Sequence, residues 1–154
     1  KVTNWKQVGG NDCQIVLVSR PSSSGTRVTF EQYALKKHAS QSNQSLETDD
    51  SGTLIQMIQS VSGSIGYVAL SYLTGDPQVG IVSINGVKPS LKNVYNGKYT
   101  VWSYEHMYTK GQPKGAAKAF LQQMLSEEYG KKIEAMGYGI ASKLTAAAKA
   151  THSK

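Results

Sequence analysis

The chain has 154 residues, 39% of them hydrophobic, with 15 Gly, 4 Pro, one cysteine and a formal charge of +7. That length suffices for one α/β domain with a real core and is too short for two full-sized ones, and no apolar run approaches the ~20 residues of a membrane-spanning helix. The single cysteine, Cys13, excludes an internal disulfide and any cysteine-based metal cluster.

The chain opens on Lys1 without a basic-then-apolar leader, which reads as a processed form or a piece of something longer. Gly9-Gly10-Asn11-Asp12 is a turn cluster, and Ile15-Val16-Leu17-Val18 after it is a short β-branched run that predicts a buried strand. Ser19 to Gly25 is a Ser/Pro/Gly loop in which Pro21 prevents an early helix start. From Arg27 the pattern turns helical through Val28, Phe30, Tyr33, Ala34 and Leu35, closing on Lys36-Lys37, cations suited to a last helical turn. His38 to Asp50 is polar and predicts a surface loop.

Leu54, Ile55, Met57, Ile58 and Val61 mark a short helix entered through an Asp50-Ser51 cap and stopped at Gly63. Ile65 to Ala69 predicts a second core strand and Val79 to Ile84 a third, with Asn85-Gly86 as a tight turn. Pro89 to Tyr95 gives a helical turn or two, and Tyr99 to Tyr108 is aromatic and β-prone. Pro113 to Met136 carries the longest helical period, as one helix or as two with a fresh N-cap at Ser126. Beyond Ser142 the Ala/Lys/Thr-rich sequence has no apolar period, so residues 143–154 read as a frayed or flexible tail. Strands alternating with helices predict an α/β domain.

Most of the excess charge lies late. From Lys110 the cations Lys110, Lys114, Lys118, Lys131, Lys132, Lys143, Lys149 and Lys154 face only Glu127, Glu128 and Glu134. Their spacing along helices and a tail predicts a solvated face and no nucleic-acid partner. The positive field still favours an anion on approach.

The chemistry concentrates at Ser19-Arg20-Pro21-Ser22-Ser23-Ser24-Gly25-Thr26, between a predicted strand and a predicted helix. The first amides of a helix lack intrahelical partners and sit at the positive end of its dipole, a ready site for a small anion. Gly25 lets the backbone approach a ligand, and the Ser24 and Thr26 hydroxyls can donate to its oxygens. Arg20 adds a planar fork that matches two oxygens of a tetrahedral anion. Ser24 also serves as an ordinary N-cap, and an arginine at a strand end is commonly just solvated.

The run Ser19-Arg-Pro-Ser-Ser-Ser-Gly-Thr-Arg-Val-Thr-Phe30 resembles the signature of the phosphate-binding proteins of bacterial high-affinity phosphate ABC transporters. Four more segments resemble that family in the same order: Thr3 to Gly10, Gly63-Ser-Ile-Gly-Tyr67, Trp102 to Gly111, and Phe120 to Tyr138. The resemblance implies one lobe of a type 2 periplasmic-binding-protein fold, a mixed β-sheet flanked by helices, spanning residues 1–142 with a return segment from about 100. It implies inorganic phosphate as ligand, with Arg20 clamping oxygens, Ser24 and Thr26 donating hydroxyls, and Gly25 with Thr26 donating N–H. It further implies a membrane permease as partner and an extracytoplasmic setting, periplasmic or lipid-anchored at the cell surface. The family's other ligands, a glycine-rich helix start and a carboxylate that accepts the phosphate proton, belong to an N-terminal lobe that has no counterpart in this sequence.

Other residues point elsewhere. His38, His106 and His152 lack metal-ligand spacing, no cofactor motif is present, and the serines lack the Gly-x-Ser-x-Gly elbow of a hydrolase. The turn lacks the Gly-Lys pair of a P-loop. Gly66-Tyr67 and the other aromatics read as strand and hinge packing. The reading is a binding protein, not an enzyme. A receptor for sulfate or molybdate, or an adhesin or sensor reusing the scaffold, are the alternatives.

Overall fold

In the computed structural model, which describes residues 2–38, 45–76 and 78–152, the chain divides into two compact units, Lys1–Val82 and Ser83–Lys154. The first is built on a three-stranded sheet of order β2-β1-β3, formed by β1 (Val16–Ser19), β2 (Leu46–Glu47) and β3 (Ser64–Gly66). Both pairings are parallel: Val18 faces Leu46 on one side and Gly66 on the other. Among the described residues the mixed character expected of the sheet is confined to two isolated antiparallel bridges, Asn4–Gln14 and Ile84–Val87.

Helix α1 (Gly25–Tyr33) follows β1, and α2 (Ser51–Ser60) joins β2 to β3. Asp50 caps α2 by accepting from Thr53 N–H, the local signal its sequence carried. The apolar stripe of α2 then turns inward, so that Leu54 is 2% exposed and packs, with Val18, at the heart of this unit. Gly66 makes that packing possible: a Cβ there would lie 2.9 Å from Leu54 Cδ2 and 3.0 Å from the Val18 carbonyl oxygen. At Gly63 the turn into β3 needs φ +75°, and a Cβ would lie 2.3 Å from the Gln14 carbonyl oxygen. The Gly63 carbonyl accepts from Trp5 Nε1 at 2.9 Å, which pins a 3-10 turn at Trp5–Val8 to the same corner.

The second unit contains α3 (Leu91–Tyr95), α4 (Gly115–Met124), α5 (Glu127–Ala135) and α6 (Ala146–Ala150). Ser126 accepts from Tyr129 N–H, so the long periodic segment is two helices. Tyr95 ties this unit together. Its hydroxyl donates to Glu134 Oε1 at 2.6 Å and accepts from Ile140 N–H at 2.9 Å, while its carbonyl accepts from Thr145 N–H at 3.0 Å. Burial and the neighbouring carboxylate push the Tyr95 hydroxyl up to about 12. Glu134 in turn pairs with Lys143 at 2.7 Å, and the hydrogen bonds from Lys143 and Tyr95 hold its carboxyl below the usual range.

Several sequence expectations need correction. Part of the loop read over His38–Asp50 is strand β2, too short and too polar to show a period, and residues 39–44 of that loop lie outside the described residues. Lys36 and Lys37 sit beyond the end of α1 with φ of 51° and 70°, not in its last turn. No strand forms over Val79–Ile84 among the described residues; only Ile84 pairs, with Val87 across the Asn85-Gly86 turn, and Ile81 and Val82 stay exposed. Tyr99–Tyr108 joins no ladder among the described residues either. It lines up Trp102, Tyr104, His106 and Tyr108 as a series of neighbouring rings. The segment expected as a tail carries helix α6, capped by Thr145, with Leu144 buried and Ala148 fully so. An alanine can seat closely against Gly97, whose Cβ position lies 3.3 Å from Ala148 Cα, without leaving any hydrophobic period to read.

Candidate functional site

In a parallel sheet whose chain passes from β1 to a strand on one side and then to a strand on the other, a crevice opens at the carboxyl ends of the strands. Here β1 is that central strand. Ser19 ends β1 and Arg20 follows it, Thr48 to Asp50 run from β2 to Ser51 at the start of α2, and Tyr67 follows β3, all at this edge. They are hydrogen-bonded to one another. Thr48 N–H donates to the Ser19 carbonyl at 3.1 Å, and Tyr67 Oη lies 3.1 Å from Ser19 Oγ.

Arg20 is 8% exposed. Its Nη1 donates to Ser51 Oγ at 2.7 Å and its Nη2 to the Asp49 carbonyl, so the guanidinium is braced by the β2–α2 connection. A guanidinium has five N–H donors, and Nε is buried with no hydrogen-bond partner among the described residues. No carboxylate ion-pairs with Arg20 among them. Asp50 is held below the usual carboxylate range chiefly by its hydrogen bonds from Thr53, with the charge of Arg20 a smaller cause. Arg20 is therefore a buried cation whose side-chain hydrogen-bond partners are neutral, a state that favours an anionic ligand over an empty site.

The other three predicted residues occupy consecutive positions at the start of α1. Ser24 N–H donates to the Pro21 carbonyl at 3.0 Å, closing the turn that Pro21 stiffens, and Ser24 Oγ accepts from Arg27 N–H at 3.3 Å as the N-cap. That leaves the Ser24 hydroxyl hydrogen for another acceptor. The Gly25 and Thr26 amides have no hydrogen-bond partner among the described residues. A Cβ built at Gly25 meets no heavy atom within 4 Å, so packing among the described residues does not itself demand glycine there.

Arg20 makes no direct hydrogen bond to Ser24, Gly25 or Thr26 among the described residues. The two halves are joined by Arg27, whose Nη1 donates to the Arg20 carbonyl at 2.9 Å while its Nε pairs with Glu31 at 2.8 Å. The sequence reading missed Arg27, Tyr67, Ser51 and the Asp49 carbonyl. Arg27 and Glu31 were detectable as an i,i+4 pair on a predicted helix. Tyr67 reads from the sequence as strand packing; its ring does pack, stacked on Phe30 at 4.3 Å and 11°, but its hydroxyl bond spans 47 residues and carries no sequence signal. No group of three or more His, Cys, Asp or Glu side chains among the described residues could hold a metal ion, and no helix among them is long and apolar enough to cross a membrane.

Comparison with known proteins shows the family to which the fold belongs. A family model described as a PBP superfamily domain matches residues 1–128. The chain is 48% identical over 133 residues to the phosphate-binding protein PstS of Bacillus subtilis, covering 86% of this chain and 43% of that protein. It is 30% identical over 109 residues to the phosphate-binding protein PstS of Borreliella burgdorferi, covering 66% of this chain and 39% of that one. Among solved structures it is similar to a Clostridium perfringens protein assigned as a phosphate ABC transporter substrate-binding protein and solved with phosphate bound. There the TM-score is 0.76 at 32% identity, covering 88% of this chain and 56% of that one. The chain thus spans less than half the length of both curated relatives.

Proposed function

We propose that this chain, which belongs to the PBP superfamily, binds inorganic phosphate and supplies one side of the ligand cleft of an extracytoplasmic receptor that delivers phosphate to an ABC importer. The observation that carries this reading is Arg20: a guanidinium buried at the carboxyl end of the central strand, braced by neutral partners, with Nε unpartnered among the described residues. Arg20 offers its planar fork to two phosphate oxygens. Gly25 and Thr26 offer helix-terminal amides, and Ser24 and Thr26 offer hydroxyls to the others. Each of these contributions is a donor, as a multiply charged oxyanion requires. The relatives named as phosphate-binding proteins support phosphate ahead of other oxyanions. An ABC permease is the corresponding partner, with the receptor periplasmic or lipid-anchored at the cell surface.

With one side of the cleft, the anion stays open to water and each contact contributes less than it would when desolvated. The expected dissociation constant is high micromolar to millimolar, about 4–6 kcal/mol of binding free energy. Calorimetry returning a sub-micromolar constant for this chain would contradict the half-cleft reading. Phosphate should raise the melting temperature, because it binds the native state alone, and Arg20→Ala should remove that rise. A persisting rise would overturn the assignment of Arg20. An equal rise with sulfate or molybdate would count against phosphate as the preferred ligand.

A further inference from the structure

Arg20 leaves β1 where the sheet can no longer satisfy its peptide groups. Its N–H donates to Tyr67 Oη at 3.3 Å, and its carbonyl accepts from Arg27 Nη1 at 2.9 Å. Both main-chain polar groups of this buried residue are thus held by side chains, the N–H by the residue after β3 and the carbonyl by the first turn of α1, with a longer contact from Ser19 Oγ at 3.5 Å. The holders are themselves fixed. The Tyr67 ring lies nearly parallel to Phe30, and its oxygen also meets Ser19 Oγ, a side chain 1% exposed. Arg27 is anchored by Glu31.

We infer that Tyr67 is a positioning residue of the anion site: its hydroxyl fixes the backbone of Arg20, and through it the aim of the guanidinium, with Arg27 as the other jaw of the clamp. This rests on the phosphate reading of the site. Planar two-point recognition of an oxyanion tolerates only about 10–20° of misalignment. A long side chain meets that limit only when its Cα is held as firmly as its tip. Ser51 and the Asp49 carbonyl brace the tip; Tyr67 and Arg27 hold the root. Tyr67 therefore acts through Arg20, not through contact with the anion.

Tyr67→Phe keeps the ring and its stacking partner and removes one oxygen. In NMR titrations with inorganic phosphate the dissociation constant should rise about two- to tenfold, the range for one neutral hydrogen bond. The Arg20 Nε–H resonance, recorded without phosphate, should shift or broaden. Affinity equal to that of the unmodified chain would overturn the inference. So would an unmoved Nε–H resonance, even alongside weaker binding, because a direct Tyr67–anion contact predicts that result. If the unmodified chain shows no phosphate binding, the proposed function fails, and the Nε–H resonance still decides whether Tyr67 positions Arg20. Should Tyr67→Phe not fold, Arg27→Gln tests the clamp through the same two readouts.

Discussion

In the first unit the largest core side chains, Leu54 and Val18, are almost fully enclosed, whereas in the second Phe120 and Leu125 are 60% and 79% exposed. The difference follows from the elements available. A parallel sheet with α2 laid across it encloses apolar side chains locally, and its carboxyl edge gathers polar groups from three connections at one place. Among the described residues the second unit has no sheet. Its enclosed part is a polar junction at Tyr95 with the buried Leu144 and the close seat of Ala148, while α4 turns most of its residues outward. The buried cation Arg20 lies on the first kind of scaffold, where connections meeting at one edge brace it.

The comparison can be broken most directly at Leu54. Leu54→Ala should cost about 2–5 kcal/mol, the usual range for truncating an enclosed leucine. Hydrogen exchange of the β1 amides would report it; protection unchanged from that of the unmodified chain would show that this core does not hold the sheet.

A smaller effect is expected from acid in the second unit. His152 is stacked on Trp102 at 3.7 Å, and burial there holds its imidazole below the ordinary value of 6.5. A base depressed by folding contributes stability that is present above its unfolded pKa and is lost as the pH falls through the folded value. Exchange protection around α6 should therefore fall between pH 7 and 5. The Asp50 cap of the first unit, a carboxyl depressed from 3.8, should hold until the pH drops below about 4. Simultaneous loss of protection in both regions at pH 5 would count against this ordering. Smallest of all, Leu125→Ala should change stability by no more than about 0.5 kcal/mol. A loss matching that of Leu54→Ala would mean that Leu125 is enclosed in solution.

Local signals explain what could be read in advance. Ile15 to Val18 is a β-branched run bounded by turns, and it is where β1 lies. Asp50, Ser126 and Ser24 are N-caps because a side-chain oxygen before a helix satisfies one of its orphan amides, a rule that acts over three residues. β2 was hidden because a two-residue polar strand exists only by pairing with β1, and α6 because alanine packing leaves no hydrophobic stripe. Val79 to Ile84 had the composition of a strand and no sheet edge to join among the described residues.

The Arg20–Thr26 turn, its position between a strand and a helix, and the family to which the chain belongs are all legible along the chain, since each depends on neighbours within a few residues or on residue order. How Arg20 is held is not. Its braces come from Asp49, Ser51 and Tyr67, separated from it by 29, 31 and 47 residues. Such partners meet only because parallel strands bring their carboxyl ends to one edge, and that juxtaposition belongs to the sheet, not to any segment of the chain.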